Sequence, residues 1–351
     1  MKIDKSSNLP LDKFIEFALY DKEFGYYMKK NPFGKEGDFI TAPNITRLFS
    51  EIIAIWLITF WKSLGSPKKI NILELGAGNG EMMKVIITTL KNFPEFFDNC
   101  VFQIHEKSEL LIKQQKQNLQ AKNVTWISDL KTINSFPTIF LANEFFDALP
   151  IKQFFKKKNG WVERFVNIKE INEAEFKEQL IDINKIEQSL KFSISENQEV
   201  IEYSPSAFNY LDSICEIIKN NDGGILIIDY GYFDPKMHGT LQAINNHKYS
   251  DVLKNIGSSD ITYNINFNLL ENFIKRFHNL DTIFTNQKKF LTRMGILQRA
   301  EIISKNITFS QKTDLFYRIR RLIDENQMGK LFKVMLVKKS DNKFKTGFLD
   351  D

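Results

Sequence analysis

The stretch Ile70-Asn71-Ile72-Leu73-Glu74-Leu75-Gly76-Ala77-Gly78-Asn79-Gly80 decides the architecture. It is a short apolar run that stops at glycines set at alternate positions, and good helix pattern follows over 81–90. An apolar strand that turns through glycines into a helix is the repeating unit of a parallel α/β sheet. Glycines at the turn permit a tight backbone and let a ligand approach it closely. The helix beyond offers unpaired N–H groups at its start.

Working outward, further strands are predicted at 101–105, 124–127, 138–142, 224–229 and 332–338, with helices at 11–20, 45–61, 109–119 and about 205–219. This alternation predicts a mostly parallel sheet with helices on both faces. Residues 152–155 and 161–166 flank the polar turn 156–160 and read as a hairpin. Five domain assignments follow. Residues 1–66 are an N-terminal helical cap with a cofactor-covering loop, and 67–340 are the core. The core carries an insertion at about 151–198 and a second, helical and loop-rich one at about 235–325, before a tail at 341–351.

Composition narrows the function classes. The chain has 351 residues, 43% hydrophobic and 26% charged, which excludes wholesale disorder. Its net charge of +5 is weak, and Lys156-Lys157-Lys158 is a solvated loop rather than a basic stripe, so no nucleic-acid partner is expected. Cys100 and Cys215 lack metal-ligand or disulfide spacing, and no metal is expected. The most apolar stretch, 52–61, lies between Glu51 and Lys62 and is too short to span a membrane. The start MKIDKSSNLP has no apolar signal core, so the expected location is cytoplasmic. The apolar helix at 45–61 is expected to pack in the core; a homodimer face is the alternative for it.

The spacing GxGxG is one residue short of the dinucleotide fingerprint GxGxxG, which weakens a pyrophosphate reading. S-adenosylmethionine has no phosphate, and its carboxylate and ammonium suit the same turn beside an acid. Gly76, Gly78, Gly80 and Glu74 are therefore its candidate contacts, with S-adenosylhomocysteine as product. Glu106, at the end of the second strand, is placed to accept from ribose hydroxyls, though it also suits the first turn of a helix. NAD carries the same ribose, so an oxidoreductase stays as the weaker alternative. Asp129 and Leu130 follow the third strand, where an adenine amino group could be met.

The fourth strand runs into Asn143-Glu144-Phe145-Phe146-Asp147-Ala148-Leu149-Pro150, which should face the same crevice. Glu144 and Asp147 form a carboxylate pair suited to a cationic substrate and are the candidate catalytic residues, with Asn143 beside the cofactor. A capped helix start, with Asn143 as cap, is the structural alternative.

These segments together resemble the MidA-like class I S-adenosylmethionine-dependent methyltransferases, whose mitochondrial members are complex I assembly factors with protein-arginine methyltransferase activity. The markers are Phe24-Gly25-Tyr26-Tyr27, Gly37-Asp38-Phe39-Ile40-Thr41-Ala42-Pro43, the glycine turn, the 143–150 segment, Asp229-Tyr230-Gly231-Tyr232, 247–253 and Met328-Gly329. The resemblance covers about residues 8–340. It implies a Rossmann-like seven-strand sheet with the last strand antiparallel, a helical cap and an inserted substrate region. It also implies that Gly37, Asp38 and Thr41 fold over the cofactor, that His247 and Phe146 approach the substrate, and that the substrate is a protein arginine, in mitochondrial members on an NADH dehydrogenase subunit. Asn44, Ala77, Asn79, Asn246, Ser250, Asn264 and Asn266 depart from the family pattern. They keep open a scaffold protein that binds the cofactor without catalysis.

Overall fold

The computed structural model describes residues 7–29, 41–120, 123–170, 173–245 and 248–349. Its centre is one sheet whose strands we number β1 Ile70–Leu75, β2 Cys100–His105, β3 Val124–Ile127, β4 Thr138–Asn143, β5 Gly223–Tyr232, β6 Leu280–Asn286 and β7 Phe332–Lys339. The order across the sheet is β6-β7-β5-β4-β1-β2-β3, and a short eighth strand, Ile265–Asn266, lies beside β5. Pairings among β1 to β5 are parallel, whereas β7 runs antiparallel to both β5 and β6. The sequence order reverses between β1 and β4, which opens the ligand crevice at their carboxyl ends.

The period of two along these strands is visible in the packing. Ile70 and Ile72, Ile139 and Leu141, and Leu226 and Ile228 belong to the core on one face. Leu73 and Leu75, Phe140 and Ala142, and Ile225 and Ile227 belong to the core on the other. Strands covered by helices on both faces need apolar side chains in both directions, which is why INILEL is nearly continuous rather than alternating.

We number the helices that bear on the site α1 Leu11–Tyr20, α2 Arg47–Ser63, α3 Glu81–Leu90, α4 Glu109–Leu119 and α5 Pro205–Asn221. Three start on side-chain caps: Thr46 accepts from Leu48 N, Ser108 from Leu111 N, and Ser204 from Ala207 N. The helix expected over 45–61 starts two residues later because Thr46 is extended and caps it, after a short turn at Ala42–Ile45. Leu48, Phe49, Ile52, Ile53, Trp56, Leu57, Phe60 and Trp61 of α2 are all buried within this chain. That helix face is therefore spent on the core and unavailable to a homodimer contact.

A second, antiparallel sheet joins Ser7–Pro10, Gly160–Glu170, Lys152–Lys157 and Val200–Tyr203, with Glu173–Ile181 along the other side of Gly160–Glu170. Phe154, Val166, Ile168 and Ile201 from it share one core with α1, α5 and a face of the central sheet. The N-terminal stretch, read from sequence as helical, thus also supplies a strand. The region expected to be helices and loops at 235–325 holds β6, which is central-sheet structure, and a three-stranded sheet of Gln242–Asn245, Lys248–Ser250 and Asp260–Thr262. Its apolar pattern is weak because β6 is an edge strand, half exposed and paired on one side only. Among the described residues no helix is long and apolar enough to cross a membrane.

Ile227 is fully buried in the middle of β5. Truncating it to Ala should cost about 2–5 kcal/mol in urea unfolding; a loss under about 1 kcal/mol would show that β5 is not the packed centre.

Candidate active site

The turn after β1 is built on left-handed backbone, with φ of +63° at Gly76, +53° at Gly78 and +81° at Gly80. L side chains rarely adopt that region. Gly76 N donates to His105 O at 2.9 Å, locking the turn to the end of β2. A Cβ on Gly76 would sit 2.8 Å from Phe145 Cδ2. The glycine turn and the segment after β4 are therefore in direct contact across the crevice.

Between them lies a cleft lined by Gly76, Gly78, His105, Glu106, Glu144, Phe145 and Tyr210, with Tyr20, Tyr27, Ala148 and Leu149 on its further side. Glu106 Oε1 accepts from Lys107 N and Ser108 N at 2.8 and 2.9 Å. Burial pushes its carboxyl up, against the pull of those N–H groups. His105 Nδ1 faces Ile127 O at 3.1 Å, an acceptor only, so Nδ1 carries the proton. Nε2 is then the acceptor for the Tyr210 hydroxyl at 2.9 Å, and burial lowers the imidazole pKa, consistent with a neutral ring. Tyr20 and Tyr27 stack with centroids 5.4 Å apart, and the Tyr27 hydroxyl donates to Asp260 Oδ1 at 3.0 Å.

The carboxylates beyond β4 and β5 form the other half. Glu144 stands at φ +50°, a strained position for a non-glycine residue. Its N–H donates to Ile228 O at 2.9 Å, and its Oε1 accepts from Ala42 N and Asn143 Nδ2 at 3.3 and 3.2 Å. Asp229 is fully buried, and its Oδ2 accepts from the backbone N–H groups of Phe145, Phe146 and Asp147 at 3.2, 3.0 and 3.3 Å. Burial, then the nearby Asp147 charge, pushes Glu144 up to about 7. Burial pushes Asp147 up to about 6, against a hydrogen bond from Tyr230. Burial and the other two carboxylates drive Asp229 well above the usual carboxylate range. Asp147 Oδ1 is buried with no hydrogen-bond partner among the described residues.

The structure brings Gly76, Gly78, Glu106 and Glu144 to the cleft wall. Gly80 ends the same turn, and Glu74 and Asp147 are buried behind the wall, 3% and 5% exposed. Thr41 opens the turn whose Ala42 N–H reaches Glu144, while Asn143 supports Glu144 from the side. Two expectations need correction. Phe146 is fully buried in the hydrophobic core, because successive side chains of the turn point opposite ways and Phe145 takes the cleft. Asp129 and Leu130 stay off the described cleft wall: Asp129 is exposed and accepts from Lys131 N at 2.9 Å, and Leu130 packs in the core. Nor does a helix start at Asn143; the chain turns without helix through 144–150. Gly37, Asp38 and His247 lie outside the described residues. Sequence reasoning missed Tyr210, Gln115 and Asp229 as site residues. The first two sit in ordinary amphipathic helix pattern, and only the DYGY segment drew attention to Asp229.

These residues fit S-adenosylmethionine. Among the described residues Glu74 Oε2 is buried without a hydrogen-bond partner beneath the glycine turn, and burial together with Glu106 pushes its carboxyl up to about 8. An ammonium group near the turn would relieve that penalty. A family model for S-adenosyl-L-methionine-dependent methyltransferases matches residues 52–285. The chain belongs to this family. It is therefore a methyltransferase that uses S-adenosylmethionine. Its relatives include the mitochondrial protein arginine methyltransferase NDUFAF7 of Xenopus laevis, 28% identical over 96% of this chain and 82% of that protein. The Drosophila melanogaster homolog is 28% identical over 95% and 82%. A Burkholderia thailandensis protein crystallised with S-adenosyl-homocysteine shares the fold, with TM-score 0.79 and 24% identity over 94% of this chain and 88% of that one. The relatives carry mitochondrial names, so the cytoplasmic expectation gains no support from them.

Gly76→Ala combines a disfavoured φ with a clash against Phe145. It should lower affinity for S-adenosylhomocysteine at least tenfold by calorimetry and cost about 1–2 kcal/mol of stability; an unaltered affinity would remove the turn from the cofactor site. A second outcome concerns stability and pH. Glu144 binds its proton more tightly folded, near 7, than in the usual range near 4.5. Its favourable contribution is complete below the unfolded value and is lost as pH rises to about 7. Glu144→Gln should therefore melt at a higher temperature than the wild type at pH 8, with the difference shrinking by pH 4.5. A difference that grows on acidification would reverse the sign assigned here.

Proposed function

We propose that this chain methylates a guanidinium nitrogen of an arginine side chain in a protein. The observation that carries the reading is the Glu144–Asp147–Asp229 group. Three carboxylates crowd one buried site, their pKa values raised, and none of them is ion-paired to a Lys or Arg among the described residues. Uncompensated buried charge is costly and calls for a cation. Guanidinium is planar, permanently charged near neutrality and able to offer hydrogen bonds along two edges. Glu144 and Asp147 are suited to hold two of its nitrogens, leaving the third toward the cofactor half of the cleft. The naming of the relatives as protein arginine methyltransferases supports the same choice.

S-adenosylmethionine, held by the glycine turn with Glu74 and Glu106, supplies an electrophilic methyl group when bound. The chain's own residues do the rest. Glu144 and Asp147 orient the nucleophilic nitrogen and concentrate electron density on it. As that nitrogen gains a methyl it must lose a proton, and Glu144, titrating at about 7, is matched to accept it. Phe145 and the Tyr20–Tyr27 pair keep water from the reacting groups.

By the resemblance to complex I assembly factors, the substrate is a subunit of NADH dehydrogenase. Cys100 and Cys215 are both free thiols, which suits a reducing compartment, cytoplasmic or equivalent.

Incubation with methyl-labelled cofactor and a cell lysate should label a protein that yields methylarginine on hydrolysis, and an NADH dehydrogenase subunit should be the labelled band. Glu144→Gln should lose transfer by about 10²-fold or more while still binding S-adenosylhomocysteine. Label on another residue type, or none, would refute the arginine reading.

A further inference from the structure

We infer that Gln115 is a positioning residue that aims Glu106 at the cofactor ribose and pins the glycine turn, and that Trp126 sets its direction. The inference rests on the reading of Glu106 as the ribose acceptor. Gln115 lies on α4 and is fully buried. Its Nε2 donates to Gly78 O at 2.8 Å and to Glu106 Oε2 at 3.2 Å. Its Oε1 accepts from Trp126 Nε1 at 2.8 Å. One side chain therefore ties together the segments that follow β1 and β2 and the strand β3.

The direction of the amide is not interchangeable. The indole N–H only donates, so it must face the amide oxygen. Both amide hydrogens are then committed to the carbonyl of Gly78 and the carboxylate of Glu106, which only accept. A flipped amide would set oxygen against both and nitrogen against the indole. The stem of Gln115 also fills the space beside Gly80, where a Cβ would meet its Cγ at 3.4 Å. One turn further along α4, Asn118 Nδ2 donates to Asn79 O at 2.9 Å. The helix thus holds two successive carbonyls of the turn.

Among the described residues, Glu106 keeps one acceptor position open. A carboxylate has about four acceptor positions. Lys107 N and Ser108 N occupy two on Oε1, and Gln115 takes one on Oε2. The position that remains is on Oε2, and Glu106 lines the cleft. A ribose hydroxyl donating there makes a charge-assisted bond whose direction is set by Gln115. The expected consequence is selectivity: the site should prefer a ribose over a deoxyribose, and Gln115 should govern the preference.

Calorimetry with S-adenosylhomocysteine and its 2′-deoxy and 3′-deoxy analogues tests this on the full chain. The wild type should bind the parent at least tenfold more tightly than one of the two analogues. Gln115→Met should collapse that ratio to near unity, as Glu106→Gln should. Trp126→Phe, which frees the amide to flip, should reduce the ratio in a protein whose circular dichroism is unchanged. A merely structural Gln115 would weaken all three ligands alike and preserve the ratio, and that result would overturn the inference while leaving Glu106 in place. If the wild type itself binds all three equally, the ribose assignment fails and the inference with it.

Discussion

The acidic half of the candidate site hangs on the carboxylate of Asp229. Its two oxygens accept four backbone N–H groups, three from Phe145, Phe146 and Asp147 and one from Tyr230. That arrangement holds the segment after β4 against the end of β5 and leaves no freedom in where its side chains go. Glu144 is forced to positive φ, Phe145 is turned against Gly76, and Phe146 is sent into the core. Without the anchor, a strained Glu144 would relax toward ordinary backbone and the cleft would lose its acidic wall.

The anchor also explains the electrostatics. A carboxylate that satisfies four N–H donors is useful only where it stays put, and here it stays beside Asp147 and Glu144. Burial raises all three; Asp147 also raises Glu144, and both raise Asp229, whereas a hydrogen bond with Asp229 pulls Asp147 back down. The folded protein tolerates this crowding because the surrounding sheet and helices supply ample burial on both faces. What the crowding provides is a site of negative potential at the mouth of the sheet, where a cationic side chain gains most from entering.

Legibility in the sequence followed the range of the interactions. The glycine turn was legible because Gly76, Gly78 and Gly80 must occupy backbone that other residues avoid, and they sit within one contiguous motif. The same holds for β1, β4 and β5, whose apolar runs are set by burial on two faces. Asp229 supports residues more than eighty positions away, and Gln115 reaches Gly78 and Trp126 from the middle of a helix; no local spacing marks either. β6 escaped because only Leu280 of it is buried, which leaves almost no apolar periodicity to read. Phe146 was misassigned because sequence shows that two aromatics are adjacent but not which one the Asp229 anchor turns inward.

Four of the departures from the family pattern that keep a scaffold role open land on supporting contacts, and Asn246 lies outside the described residues. Asn79 Nδ2 donates to Asn44 Oδ1 at 3.0 Å, so two of the departures meet each other and make a polar tie between the glycine turn and the short turn Ala42–Ile45. Asn266 caps the helix Phe267–Ile274 by accepting from Leu269 N, and donates to Asp234 O. Asn264 N donates to Thr240 Oγ1. None of these removes a described group from the cleft. Glu106, Glu144, Gly76 and Gly78 remain on its wall, and Glu144 keeps its strained φ. A strained Glu144 on the cleft wall and a buried Asp147 just behind it, neither ion-paired among the described residues, cost stability that packing alone does not require, which fits a working site better than a bare scaffold.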